Sequence, residues 1–214
     1  MPRNPKSKKV AAYEALKKGI ISNSLKPGDP LNERVLSEEL RISKTPIREA
    51  LQQLEKEGFV ENILHKGSFV SRISVQDIRE IFQVREILEC AAANQSALKA
   101  DLNKLEGIKR KFESIDRVNG KTPLSLLKAG DQIHNYIFEC LQNNRLIEIY
   151  QRLQDHIGRI RIYFVHQFDP NRLEKASKEH KEILDALIAR DPSRAENATR
   201  THLRNGLEYI KQLI

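Results

Sequence analysis

Cysteine is scarce in this chain: its 214 residues contain two, Cys90 and Cys140, far apart and outside any CxxC pair. That argues against a disulfide scaffold or a cysteine-based structural zinc cluster, and predicts reduced core thiols in a cytoplasmic protein. Long apolar runs are missing too. No uninterrupted apolar stretch exceeds four residues, far short of the roughly 20 that span a bilayer. The basic start, Met1 to Lys9, is not followed by an apolar segment, so no export is expected. The chain reads as soluble, with no membrane partner. It also lacks HExxH, any Ser, His and Asp order suggesting a triad, and any internal repeat. Hydrolase chemistry is therefore a remote alternative: Glu179 and Glu182 flank His180, and a helical metalloenzyme with an appended second domain is its only form.

Charge is what the chain has in quantity. Lys and Arg number 37 against 29 Asp and Glu, a net charge of +8. Fourteen basic and nine acidic side chains fall before residue 73, so five of the eight net positive charges sit in the first third. Such concentration suits a phosphate-backbone partner. The length permits one large domain or two modest ones, each able to form a core.

The most informative stretch is SKTPIREALQQLEKEGFV, Ser43 to Val60. Thr45 is expected to cap a helix and Pro46 to fill its first position, where no N–H is needed. Ile47, Ala50, Leu51 and Leu54 fall at i, i+3, i+4 and i+7, one apolar stripe, leaving Lys44, Arg48 and Gln52 to project away. Upstream, Asn32 is placed to cap a short helix with Val35, Leu36 and Leu40 inside, ending near Arg41-Ile42-Ser43. That connection has helix-turn-helix spacing. Lys8 to Asn23 reads as an earlier amphipathic helix (Val10, Ala11, Tyr13, Ala15, Leu16, Ile20), closed by Leu25-Lys26-Pro27-Gly28-Asp29-Pro30. Phe59 to Leu64 and Ser68 to Ile73 are β-prone runs joined by His65-Lys66-Gly67. Three helices and a hairpin predict a winged helix-turn-helix over residues 1–73.

These residues resemble the DNA-binding domain of the GntR family of bacterial transcription regulators: Leu25-Lys26-Pro27-Gly28, Leu31 to Leu40, the eighteen-residue stretch and the Gly67 wing agree in order over Lys8 to Ser74. The resemblance implies a double-stranded DNA operator as partner and DNA contacts from Arg34, Lys44, Thr45, Arg48, Lys66 and Gly67. One position departs from the family, which usually has arginine where this chain has Lys44. Lysine lacks the bidentate fork that reads guanine O6 and N7, so base preference there differs.

From Ser74, a plausible N-cap, helical periodicity runs to Ile214. It starts with Ile78, Ile81, Phe82, Arg85, Leu88 and Ala92, and continues in segments beginning near Asp101, Thr122, Asn144, Asp169 and Asp191. Breaks come at Asn119-Gly120, Asn143-Asn144, Asp169-Pro170 and Asp191-Pro192. Residues 74–214 are thus expected to form an all-α antiparallel bundle of about six helices, making the fold class mainly α. His134 shares a face with Leu127, Ile137, Phe138 and Leu141, with Asp131 one turn earlier. His180 precedes Ile183, Leu184 and Leu187, and His202 falls between Ala195, Ala198 and Gly206. Three histidines on apolar faces of three helices can converge, and imidazoles with a carboxylate suit zinc, nickel or manganese. Arg85, on an inner face, suits either a bidentate bond to a bound carboxylate or a salt bridge to a glutamate of the bundle.

This part resembles the ligand-sensing FCD domain of FadR-like GntR regulators. The marks are Val84-Arg85-Glu86 to Ala93, Ile133-His134 before Asn143 or Asn144, Glu179-His180 running into Ile183 to Asp191, and His202-Leu203. In metal-binding members an aspartate and three histidines hold the ion, which implies His134, His180 and His202 as ligands. The family's aspartate position is Gly130 here, and Asp131 follows it. Asp131 is then a ligand, a partner orienting an imidazole, or a solvated residue. The implied protein is a cytoplasmic homodimeric regulator on a palindromic operator, modulated by a small organic acid at a metal-containing site. A metal-free effector pocket is the alternative.

Overall fold

The computed structural model describes residues 7–116 and 122–214; the expected turn at Asn119-Gly120 lies outside them. The chain divides into two compact units, 1–73 and 74–214.

The first unit contains α1 (Lys8–Ile21), α2 (Glu33–Leu40), α3 (Lys44–Lys56), β1 (Val60–Ile63) and β2 (Gly67–Val70). The two strands pair antiparallel, Val60 opposite Val70 and Ile63 opposite Gly67, and Pro30 extends the sheet by one bridge to Phe69. Gly67 turns the hairpin with φ +97°, a conformation that side chains resist. Ala12, Leu16 and Ile20 of α1 meet Leu36, Ile47, Ala50, Leu51, Leu54, Phe59 and Val70 in one core. The apolar stripe of α3 is buried in full.

Three local expectations are corrected. Helix α3 starts at Lys44 with Ser43, not Thr45, at its N-cap. Pro46 still fits, because none of the first-turn N–H groups has an intrahelical partner. Val35 is 47% exposed. In a helix of eight residues, Leu36 and Leu40 hold the inner row and Val35 lies about 100° round from it. In α1 the inner row is Ala12, Leu16 and Ile20 at steps of four, and this leaves Val10 and Ala15 exposed.

The Tyr13 hydroxyl donates to Glu57 at 2.7 Å, and Lys17 Nζ lies 2.9 Å from the same carboxylate. Burial pushes the Glu57 carboxyl up, but hydrogen bonds from Tyr13, Lys17 and Gln53 outweigh that and hold it below its ordinary value. A carboxyl lowered on folding stabilises above its unfolded pKa of about 4.3, and that contribution fades as pH falls through the lowered folded value. Glu57→Gln is therefore expected to cost about 1 kcal/mol at pH 7, the site being partly solvated. Denaturant melts should find the gap between the two proteins narrowing as pH falls below the ordinary glutamate range; a gap as large in acid as at pH 7 would contradict this account.

The second unit contains α4 (Val75–Lys99), α5 (Leu102–Asp116), α6 (Pro123–Glu139), α7 (Asn144–Phe164), a 3-10 turn (Val165–Gln167), α8 (Pro170–Ile188) and α9 (Pro192–Lys211). Ser74 and Asp77 form a reciprocal capping box at the start of α4. Thr122, Asn143, Asp169 and Asp191 each cap the following helix through a side-chain oxygen. Proline occupies the opening turns of α6, α8 and α9, where its missing N–H costs nothing. The core gathers Ala92, Ala93, Leu105, Ile133, Ile137, Phe138, Ile183, Leu184 and Leu187, with Phe138 stacked on Tyr150 at 3.8 Å. Helix α9 packs along α4 and α8. This arrangement brings α6, α8 and α9 to one point in the bundle.

Candidate functional site

In the first unit, burial of Ile47, Ala50, Leu51 and Leu54 turns the opposite face of α3 to solvent. Lys44, Thr45 and Arg48 are exposed there in its opening turns. The Arg48 guanidinium donates two bonds to Glu33 of α2, at 2.9 and 2.8 Å. Those bonds hold the half-exposed Glu33 carboxyl below its usual range. Arg34 is exposed on α2 beside Glu38. Lys66 and Gly67 are exposed at the hairpin tip, next to Leu64, which is 81% exposed. The sequence did not signal Glu33 as the partner of Arg48, because the two are fifteen residues apart on different helices.

In the second unit, His134 of α6, His180 of α8 and His202 of α9 converge. Their ring centroids are 5.3, 5.2 and 4.2 Å apart pairwise, and one nitrogen from each lies within 4.8 Å of the others. All three are buried. His134 Nδ1 lies 2.7 Å from Glu89 Oε2, and His202 Nδ1 lies 2.8 Å from Glu179 Oε2. His180 bonds the backbone of Ala176, and its Nε2, like that of His134, is buried without a partner. His202 and His180 are thus each held by a hydrogen bond, and His134 by a close charge contact with Glu89 that lacks hydrogen-bond geometry; each turns a nitrogen toward the others, the arrangement by which a carboxylate or carbonyl orients a metal-ligating histidine. Burial pushes His180 and His202 well below the usual histidine range, reinforced by neighbouring histidines and arginines. Neutral imidazole is the form that binds metal. Burial, convergence and orphaned nitrogens together fit a divalent transition metal.

Asp131 does not join the cluster. Its carboxylate is paired with Arg161 of α7. The reason is helical phase: a Cβ built at Gly130 would lie 2.6 Å from His180 Nε2, so position 130 faces the histidines and position 131 points about 100° away. Arg85 is the partner of Glu89 at 2.7 Å, both fully buried, which makes the salt-bridge alternative the observed one. Its Nη2 nonetheless has no partner, and its guanidinium lies 4.9 Å from the Phe82 ring. Burial would raise the Glu89 carboxyl, but Arg85 and His134 overcome this and hold it ionised.

Sequence reasoning missed Glu89 and Glu179 as orienting groups. Glu89 carried a readable signal, being four residues from Arg85 inside an otherwise apolar helix face. Glu179 carried none, since it serves His202, 23 residues away.

Gly130 supports a direct test. Alanine in a helix interior ordinarily gains about 1 kcal/mol over glycine, but here the added methyl meets His180. Gly130→Ala is expected to weaken zinc binding about 10- to 100-fold, as loss of ligand positioning does elsewhere, with helical content retained. Calorimetric titration with zinc beside circular dichroism measures both, and parent-like zinc affinity would refute the packing argument.

An exposed basic winged helix-turn-helix, followed in the chain by a helical bundle with buried convergent imidazoles, defines a DNA-binding regulator with a second, helical domain. Residues 8–70 match the bacterial regulatory proteins of the gntR family, and residues 80–205 match the FCD domain. The chain belongs to the GntR family of transcriptional regulators, in the group that carries an FCD domain. It is 25% identical to the HTH-type transcriptional regulator YdhC of Bacillus subtilis, over 94% of this chain and 90% of that protein. It is 26% identical to the transcriptional repressor RspR of Escherichia coli, over 99% and 92%. A GntR-type regulator from Rhodococcus shares the fold with a TM-score of 0.79 at 23% identity, covering 98% of this chain and 100% of that one. The protein is a DNA-binding transcriptional regulator, and its relatives are regulators rather than enzymes. No helix among the described residues is long and apolar enough to cross a membrane.

Proposed function

We propose that this regulator works as a cytoplasmic homodimer on a palindromic operator, and that a small carboxylate metabolite binding at a zinc, nickel or manganese ion sets its DNA affinity. The observation that carries the reading is the cluster of His134, His180 and His202, in which the buried Nε2 atoms of His134 and His180 have no partner among the described residues. Leaving such atoms unpaired costs free energy that a bound ion would recover. The three histidines would hold the ion, and Glu89, Glu179 and the Ala176 carbonyl would fix their orientation. A bound divalent ion supplies two positive charges and coordination positions open to a small anion. Arg85 Nη2 adds a buried donor beside it.

In the DNA head, Lys44, Thr45 and Arg48 would enter the major groove while Arg34, Lys66 and Gly67 engage the backbone or the wing's groove. Arg48 would exchange Glu33 for DNA. One recognition helix reads few base pairs, so two heads on a symmetric site supply the specificity. Effector control is linkage: the acid shifts DNA affinity only as far as it prefers one arrangement of the heads.

Selecting tight binders from random duplex DNA tests the reading. The enriched sequences are expected to contain two inverted half-sites separated by whole turns of the duplex, and adding metal with the effector acid should shift affinity for them. Enrichment of single asymmetric half-sites would sink the dimer reading, and affinity indifferent to both metal and acid would sink the sensing one.

A further inference from the structure

Beside the histidines lies a partly enclosed cavity of about 70 Å³. Its wall is mostly hydrocarbon and aromatic: Phe82, Leu127, Phe168, Leu173, Leu203 and Ile210. The charges on it are already answered. Arg161 is paired with Asp131, Arg172 with Glu179, and Arg85 with Glu89. The Tyr209 hydroxyl is taken up by the backbone of Asp169 and Gln167. Buried polar atoms of the lining without a partner are Arg85 Nη2 and His180 Nε2, both belonging to the histidine cluster and its surroundings.

Without an ion the cavity is therefore close to neutral, and away from the histidines it offers little to a ligand's hydroxyl groups. Its volume is about half of the roughly 150 Å³ that encloses a benzene ring, room for about three or four carbon atoms. We propose that the cavity selects short-chain monocarboxylates with a bare hydrocarbon tail, such as propionate or butyrate, and rejects polyhydroxylated acids of the same length. The carboxylate would face the histidine cluster and Arg85 Nη2, and the tail would lie against Leu127, Leu173 and Leu203. Each tail hydroxyl would lose water without gaining a partner, which weakens binding about ten-fold per group. This inference rests on the metal-assisted acid sensing proposed above.

Calorimetry on the zinc-loaded full chain, with butyrate and 3,4-dihydroxybutyrate as probes of equal length, tests it. Butyrate is expected to bind at least about ten-fold more tightly. Equal binding, or tighter binding of the hydroxylated acid, overturns the selectivity and leaves acid sensing standing. Zinc binding with no response to either acid overturns both. Leu127→Phe, at a half-buried position, fills the cavity and is expected to abolish butyrate binding while zinc binding is retained. Butyrate bound equally well by this variant would overturn the placement of the tail.

Discussion

Zinc at about 1,000 times its dissociation constant is expected to stabilise the helical unit by about 4 kcal/mol, from binding to the folded state alone. For a unit of this size the unfolding midpoint should rise by roughly 10 °C, and a chelator should reverse the rise. The expectation follows from the buried nitrogens of His134 and His180, which carry an unmet hydrogen-bonding demand in the metal-free chain. His180→Ala is the cleanest variant to compare, because His180 leans on a backbone carbonyl and not on a buried carboxylate. It should lose the zinc-induced rise while its metal-free midpoint moves little or improves. His134→Ala is a harsher change, since it deprives the buried Glu89 of one of its two partners, and uncompensated buried charge is costly. Thermal melts of both variants with and without zinc separate coordination from packing. A parent protein whose midpoint ignores zinc, nickel and manganese alike would refute the metal centre.

Operator affinity should fall about 10⁴-fold between 50 and 200 mM salt. If Arg34, Lys44, Arg48 and Lys66 each neutralise a phosphate as proposed, two heads of a dimer make about eight such contacts, and each displaced counterion steepens the log–log slope by about 0.9. A single head would show a slope near half as steep, so the same titration also reports on the dimer. Arg48→Ala is expected to cost about 1 to 3 kcal/mol on the selected operator and to relax base preference if Arg48 reads a base edge. Loss shared equally by all sequences would reassign Arg48 to phosphate. Glu33→Gln is a useful companion, because it leaves Arg48 at most one of its two bonds and removes a negative charge from the DNA face.

The sequence alone determined the sequential part of the molecule. The winged helix-turn-helix, the later helices with their starts near Thr122, Asn144, Asp169 and Asp191, and the N-cap at Ser74 were legible because capping, proline placement and apolar periodicity act over a few residues of chain. The same local signals put His134, His180 and His202 on apolar faces, and that proved enough to bring them together once the bundle closed. Where several residues compete for one short stretch, local rules were less sure: Ser43 rather than Thr45 stands at the N-cap position of α3, without a side-chain capping bond, and Val35 lies outside the core. Only the tertiary structure decided which groups complete the histidine centre. Asp131 and Gly130 are neighbours in sequence, yet a 100° step on α6 sends one to Arg161 and aims the other at His180. Glu89 and Glu179 reach their imidazoles from other helices, across 45 and 23 residues of chain. Their roles depend on how helices cross and rotate against each other. Periodicity fixes which face of a helix is buried, but the partner that face meets is set by the packing of the whole bundle.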